Sequence, residues 1–276
     1  MKIGLFPIMT DYSMPVDRLA VAAEERGFDS IWVPEHTHIP VKHTAYPGGG
    51  ELPKEYSHTL DPFVALGIAA GVTTKLKLAT GICLAIEHQA ITLAKTVATL
   101  DHVSNGRVLL GLGAGWNREE MENHGTVYVD RFRKLEEQMR ALREIWTNEE
   151  ASFHGDFEHF DNIWSWPKPV QQPHPPLILG GETDHTLRRI VRVGDGWLPR
   201  AMNPDYVLDG MTRLKRFAEE AGRDPATISV SVFAPPAKDE VVNRFKETDA
   251  ERIILMVPPR DEGETLKRLD RYATYV

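Results

Sequence analysis

The sequence predicts a single (β/α)8 TIM barrel over residues 1–276, with a long lid after the second strand and a hairpin insertion before the fifth. Three observations carry that expectation. Eight short apolar segments alternate with eight segments of helical period, the chain order of a parallel sheet with right-handed crossovers; this number suits a closed barrel better than an open doubly wound sheet. The strand candidates are apolar almost throughout, as strands covered on both faces are. Glycines gather where they finish, most densely in the stretch 76–116, LKLATGICLAIEHQAITLAKTVATLDHVSNGRVLLGLGAGW.

The elements follow in order. MKIGLFPIM is too short an apolar run, and too soon followed by Asp11 and Asp17, to be a signal peptide, so residues 3–7 are the first strand. A helix over 16–26 leads to strand 30–34. Residues 36–60, with a Gly- and Pro-rich middle at 43–53, are too long for an ordinary βα loop and would lie over the strand ends as a lid. Helix 62–72 precedes strand 76–82, whose end carries Gly81. Ile91, Leu93, Ala94, Val97, Ala98 and Leu100 keep one face of helix 89–103 apolar. Strand 108–112 then runs into the glycines at 111, 113 and 115. Helix 130–146 is followed by a hairpin, SFHGDFEHF, and a proline-rich crossing, WPKPVQQPHPP. Strand 177–179, helix 185–193, strand 196–199, helix 205–221, strand 228–232, helix 239–248, strand 253–257 and helix 262–272 complete the count. Arg107, at the opposite end of the barrel from the glycines, is expected to form an ion pair in the fold with Asp101, and Asp195-Gly196-Trp197 to be structural.

Composition narrows the function classes. A net charge of -8 and a pI near 5.8 argue against a nucleic-acid partner, which needs a basic stripe. No run approaches the roughly 20 apolar residues of a membrane span. One cysteine, Cys83, excludes an internal disulfide and a multi-cysteine metal site. A cytoplasmic enzyme with a small-molecule substrate fits these limits; a homodimer is left open.

Glu35-His36-Thr37-His38 directly follows the second strand. In extended chain this spacing puts both imidazoles on one side, which is how some barrel hydrolases hold a metal. That reading needs further ligands at other strand ends, and Asp61 and Asp195 do not lie there, so no metal is assigned. His36 is the candidate site residue; His38 reads as a solvated loop histidine. The glycine run fails as a dinucleotide fingerprint, because Trp116 stands where the third glycine of GxGxxG belongs and the run follows the fourth strand. Gly180-Gly181-Glu182-Thr183 ends the fifth strand and opens a helix. Free amides and the positive helix end meet there, which suits a phosphate.

IWVPEH, the 78–116 segment, PPLILGG and VGDGWLP together resemble the bacterial luciferase-like monooxygenase superfamily, whose barrels bind flavin or the deazaflavin F420. The resemblance runs from the first strand to about Pro199 and is nearest to the F420-dependent oxidoreductases. It implies a cofactor across the barrel mouth, its ring on Thr80, Gly81 and Ile82 and its phosphate at Gly180, Gly181, Glu182 and Thr183. Gly113, Gly115 and Trp116 complete that pocket, and the bond between Gly81 and Ile82 is expected to be cis. His36 would face the reactive edge of the ring, with Glu35 positioning the imidazole or the cofactor. The implied activity is hydride transfer between F420 and a small organic electrophile or alcohol; the alternative is an FMN-dependent monooxygenase using oxygen, and a metal-dependent hydrolase is the remote one. The sugar-phosphate dehydrogenase branch carries an acidic proton donor where this chain has Trp116, which speaks against sugar-phosphate oxidation.

Overall fold

The computed structural model describes residues 1–200 and 204–276. In chain order it contains β1 (Lys2–Pro7), α1 (Val16–Glu25), β2 (Ser30–Val33), α2 (Pro62–Val72), β3 (Lys77–Thr80), α3 (Ala90–Val103), β4 (Val108–Leu112), α4 (Arg118–Asn123), α5 (Arg131–Thr147), β5 (Ala151–His154), β6 (His159–Ile163), β7 (Leu177–Gly180), α6 (Asp184–Val193), β8 (Gly196–Leu198), α7 (Pro204–Glu220), β9 (Ser229–Phe233), α8 (Asp239–Lys246), β10 (Arg252–Val257) and α9 (Glu262–Ala273). All strands but β5 and β6 form one closed parallel barrel. It is sealed by β1 against β10, in register from Lys2 opposite Arg252 to Pro7 opposite Val257. No helix of the described residues is long and apolar enough to cross a membrane.

Strand alternation divides the core in two. On β10, Ile253 and Leu255 pack outward among the helices, whereas Ile254 points into the barrel. The interior is filled by Phe6, Ile8, Trp32, Ala79, Leu109, Ile178, Leu198 and Ile254. Each of the larger aliphatic and phenyl side chains among them contributes roughly 1.5–3 kcal/mol by leaving water. Trp32 is wholly buried and its indole N–H donates to Ser30 Oγ at 2.9 Å. Gly4 on the neighbouring strand makes room for that pair, since a Cβ there would lie 2.6 Å from Ser30 Oγ.

The expected strands and helices are present with shifts of a residue or two at their ends. The lid holds a 3-10 turn, Lys54–Ser57, and is stitched to the barrel by a bridge between Thr10 and Thr59. The anticipated hairpin is β5–β6. Its turn is fixed from below by Glu137 of α5, whose carboxylate accepts the amides of Asp156, Phe157 and Glu158 at 3.0, 2.6 and 2.7 Å. Helix α4 was not expected, and it proves central to the site.

Arg107 departs from the pairing expected for it. Its guanidinium is buried and spends its five N–H donors on Ser104 O, Thr73 Oγ1, Leu76 O, Ala70 O and Thr73 O, at 2.7–3.0 Å. Asp101 instead accepts from the amides of Val170 and Gln171, at 2.7 and 3.0 Å, and from the Gln171 side chain at 2.7 Å. Carbonyls left bare at the ends of α2 and α3 need donors, and a planar fork reaches several at once. Asp195 is structural as expected: it binds Arg143 at 3.0 Å and the Leu177 amide at 2.9 Å. Arg107→Ala is therefore expected to lower the unfolding free energy by about 3 kcal/mol in denaturant titration, with Arg107→Lys restoring only part.

Candidate active site

Past the end of β2 the chain turns upward through Pro34 and presents Glu35 and His36 to opposite surroundings. His36, with 9% of its side chain exposed, donates from Nδ1 to Glu120 Oε2 at 2.7 Å. Glu120 is fully buried, and its other oxygen accepts the Thr37 amide at 3.1 Å. A carboxylate on Nδ1 selects the tautomer whose Nε2 carries the lone pair. Among the described residues Nε2 meets no hydrogen-bond partner, so it is the atom left for a ligand. Asn117 starts α4 as its N-cap, accepting the Glu120 amide.

His38 is a partly exposed loop residue, as expected, and it is also held by side chains. Asn123 Nδ2 donates to its Nε2 at 2.8 Å, and Thr37 Oγ1 lies 2.9 Å from its Nδ1 and 2.7 Å from His124 Nε2. His36 and His38 are thus turned to different partners, and among the described residues no cluster of three metal-ligating groups includes either.

Glu35 does not reach the His36 imidazole. Buried at 3% exposure, it accepts the Leu84 amide at 2.6 Å and pairs with His88 Nε2 at 2.8 Å. Burial alone would push the His88 pKa down, but the bond and charge of Glu35 outweigh it and the net shift is upward. The two residues clamp the segment after β3. The positioning role expected of Glu35 toward the imidazole falls to Glu120.

The β3 end carries the cis Gly81–Ile82 peptide expected from the resemblance. Thr80 faces the sheet, donating from Oγ1 to Gly111 O at 2.7 Å, and offers no free side-chain atom to the mouth. Ile82 packs on the interior cluster and, with Phe6 and Phe233 at 4.5 Å between rings, gives the mouth an apolar floor. The glycines divide by role. A Cβ on Gly113 would stand 1.9 Å from Ile82 Cδ1 and one on Gly111 2.1 Å from Thr80 O, so both serve close packing within the protein. At Gly180 a Cβ would meet Ile82 Cγ2 and Leu112 O at 3.8 Å, ordinary van der Waals contact, so its face has room for a methyl. Gly115 takes φ +64° at the turn that leads to Trp116. Trp116 stands edge-on to His36 at 5.9 Å and to the lid rings of His43, Tyr46 and Tyr56. Tyr56, 5.3 Å from the His36 ring, donates to Tyr46 Oη at 3.1 Å. Across the mouth Trp197 pins the Gly180-Gly181 turn through Gly181 O at 2.7 Å, and Thr183 caps α6. The amides of Gly181 and Glu182 find no acceptor among the described residues. The Glu182 carboxylate is taken by the Arg200 amide and guanidinium.

Residues 14–267 match the family model of luciferase-like monooxygenases. The chain belongs to this family. A relative in Mycobacterium tuberculosis, an uncharacterized protein, is 39% identical to this luciferase-like chain over 280 residues, 99% of this chain and 98% of the relative. The FMNH2-dependent dimethylsulfone monooxygenase of Pseudomonas putida is 28% identical over 70% of this chain and 52% of its own. Among solved structures, an F420-dependent secondary alcohol dehydrogenase superposes with a TM-score of 0.80 over 100% of this chain and 98% of that one, at 20% identity. The luciferase-like family thus holds both deazaflavin and flavin enzymes.

Beside this luciferase-like site lies a further carboxylate that sequence reasoning passed over. Glu87, 1% exposed, leaves Oε2 without a hydrogen bond, 3.6 Å from His124 Nε2. Burial, then the charges of Glu120 and Glu35, push its pKa up to about 9, against the opposing pull of Lys134. Burial and His38 hold the His124 pKa down, so this contact joins two neutral groups at pH 7. A carboxyl that titrates near 4.5 unfolded and near 9 folded binds a proton on folding between those values, so stability falls as pH rises through that window. Glu87→Gln removes this loss. Thermal melts should show the variant gaining on the parent chain at pH 8 and matching it more closely at pH 5; equal differences at both would place Glu87's proton elsewhere.

Proposed function

We propose that this chain is an F420-dependent oxidoreductase that transfers a hydride between the deazaflavin and a small organic electrophile or alcohol, with His36 managing the proton. The observation that carries this reading is the Glu120–His36 pair: Nδ1 is fixed by a buried carboxylate while Nε2 is free at a strand's C-terminal end, where barrel enzymes keep their chemistry. A positioned imidazole is a common general acid or base in enzymes. When bound, F420 supplies the ring carbon that gives or takes the hydride. The chain supplies the rest. The floor at Ile82, Phe6 and Phe233 suits a flat ring. The room at Gly180 and the free amides of Gly181 and Glu182 suit a phosphate at the start of α6. Tyr56, Tyr46 and Trp116 shield His36 from water. The motifs IWVPEH and ATLDHVSNGR support F420 over FMN. The flavin relative in Pseudomonas putida favours the second reading, an FMN-dependent monooxygenase using oxygen in the same pocket.

Fluorescence titration with each cofactor separates the two readings, and F420 should bind more tightly; tighter binding of FMN would favour the monooxygenase. In single-turnover experiments at saturating F420, His36→Ala should slow hydride transfer by roughly 100-fold to 10,000-fold while leaving cofactor affinity nearly intact. Equal rates would remove this histidine from the mechanism.

Gly181 is a poor place to test the phosphate, because its φ of +114° penalises any side chain. Gly180→Ala adds a methyl where there is room for one, and should weaken cofactor binding by roughly tenfold with the melting temperature unchanged. Unchanged affinity would move the phosphate away from this turn.

A further inference from the structure

We propose that the β5–β6 hairpin carries a divalent transition-metal site built from His154, His159 and Asp161. His154 and His159 are directly opposed in the antiparallel register, and Asp161 follows two residues along β6 on the same face. Their donor atoms converge. The two Nδ1 atoms are 3.2 Å apart, His154 Nε2 is 3.0 Å from one Asp161 oxygen, and His159 Nε2 is 3.4 Å from the other. Ligands at about 2.0–2.1 Å around a tetrahedral zinc stand about 3.3 Å from one another. Exposed imidazoles can turn either nitrogen inward, so rotation about their side-chain bonds brings two nitrogens and a carboxylate oxygen onto one ion, with a position left for water.

The backbone that holds these ligands is already fixed. The Glu137 carboxylate ties down the turn between them through three amides, and Gly155 N donates to Glu158 O at 2.9 Å. On the opposite face Phe153 and Phe160 stack at 6.1 Å and pack against the core. Such preorganisation lowers the ordering cost of binding. Two imidazoles and one carboxylate favour Zn2+, Ni2+ or Cu2+ over Mg2+ or Ca2+, which prefer oxygen shells. The other converging set among the described residues, Glu35, Cys83 and His88, differs in kind. Both oxygens of Glu35 are engaged there, and burial, then Glu35, keeps the Cys83 thiol protonated.

The test uses the tag-free chain stripped with a chelator and titrated with Zn2+ against a chromophoric competitor, with Co2+ absorption as a second readout of coordination. One equivalent of Zn2+ should bind, and Mg2+ should not compete. His154→Asn and His159→Asn should each weaken binding by roughly tenfold or more, while the metal-free melting temperature stays the same. His36→Ala and His38→Ala should keep the full equivalent. Absence of stoichiometric binding, equal affinity in the hairpin variants, or loss of the metal in the His36 or His38 variants would each overturn the proposal.

Discussion

Carboxylates that accept backbone amides, some buried and some partly exposed, hold the connections of this barrel in place. A loop outside the β-ladder must still find partners for its N–H groups, and a carboxylate meets two or three at once. Glu24 gathers the amides of Thr74, Lys75 and Leu76 below β3; Asp101 takes those of Val170 and Gln171; Glu137 takes three in the hairpin turn. Glu35 holds Leu84, Glu120 holds Thr37, Glu119 holds Thr44 and Asp195 holds Leu177. At Glu24 burial pushes the pKa up, but the three amides outweigh it and the net shift is downward. The acidic balance of the chain is thus partly structural.

At the mouth the same device also holds histidines. Glu35 and Glu120 both stabilise a loop through one oxygen and a histidine through the other. The difference lies in what the histidine faces. His88 pairs with Glu35 and has Phe63 edge-on beside it, whereas His36 keeps a free nitrogen beside the aromatic rings of the lid. One sequence motif, Glu-His, therefore splits into a clamp and an imidazole with one nitrogen unpaired among the described residues.

The periodic parts of the chain were legible in advance. Strand ends, helix faces, the lid, the hairpin and the placement of His36 at the end of β2 all follow from apolar spacing and glycine positions. Helix α4 was not, because Arg118–Asn123 is six residues, four of them charged, with only Glu120 and Met121 buried. Glu120 looks like its neighbours Glu119 and Glu122; its burial depends on a histidine 84 positions earlier. Asn117 three residues before Glu120 is a helix-start pattern that offered a local signal. The glycines misled in part: local sequence cannot separate Gly113, emptied for Ile82, from Gly180, whose face has room for a methyl. Arg107 was placed correctly at the far end, but four of its five contacts are to carbonyls, which leave no mark in a sequence.

Helix α4 joins two neighbours that pull in different directions. Glu119 grips the lid through the amide and hydroxyl of Thr44, at 2.6 and 2.8 Å, and the adjacent Glu120 grips His36. A lid that swings away carrying this helix loosens the imidazole as it goes. A lid that leaves alone must first release Thr44. In the first case opening frees the imidazole from its carboxylate until the cover returns; in the second the Glu120–His36 pair persists, and the Thr44 latch alone sets how readily the cover lifts.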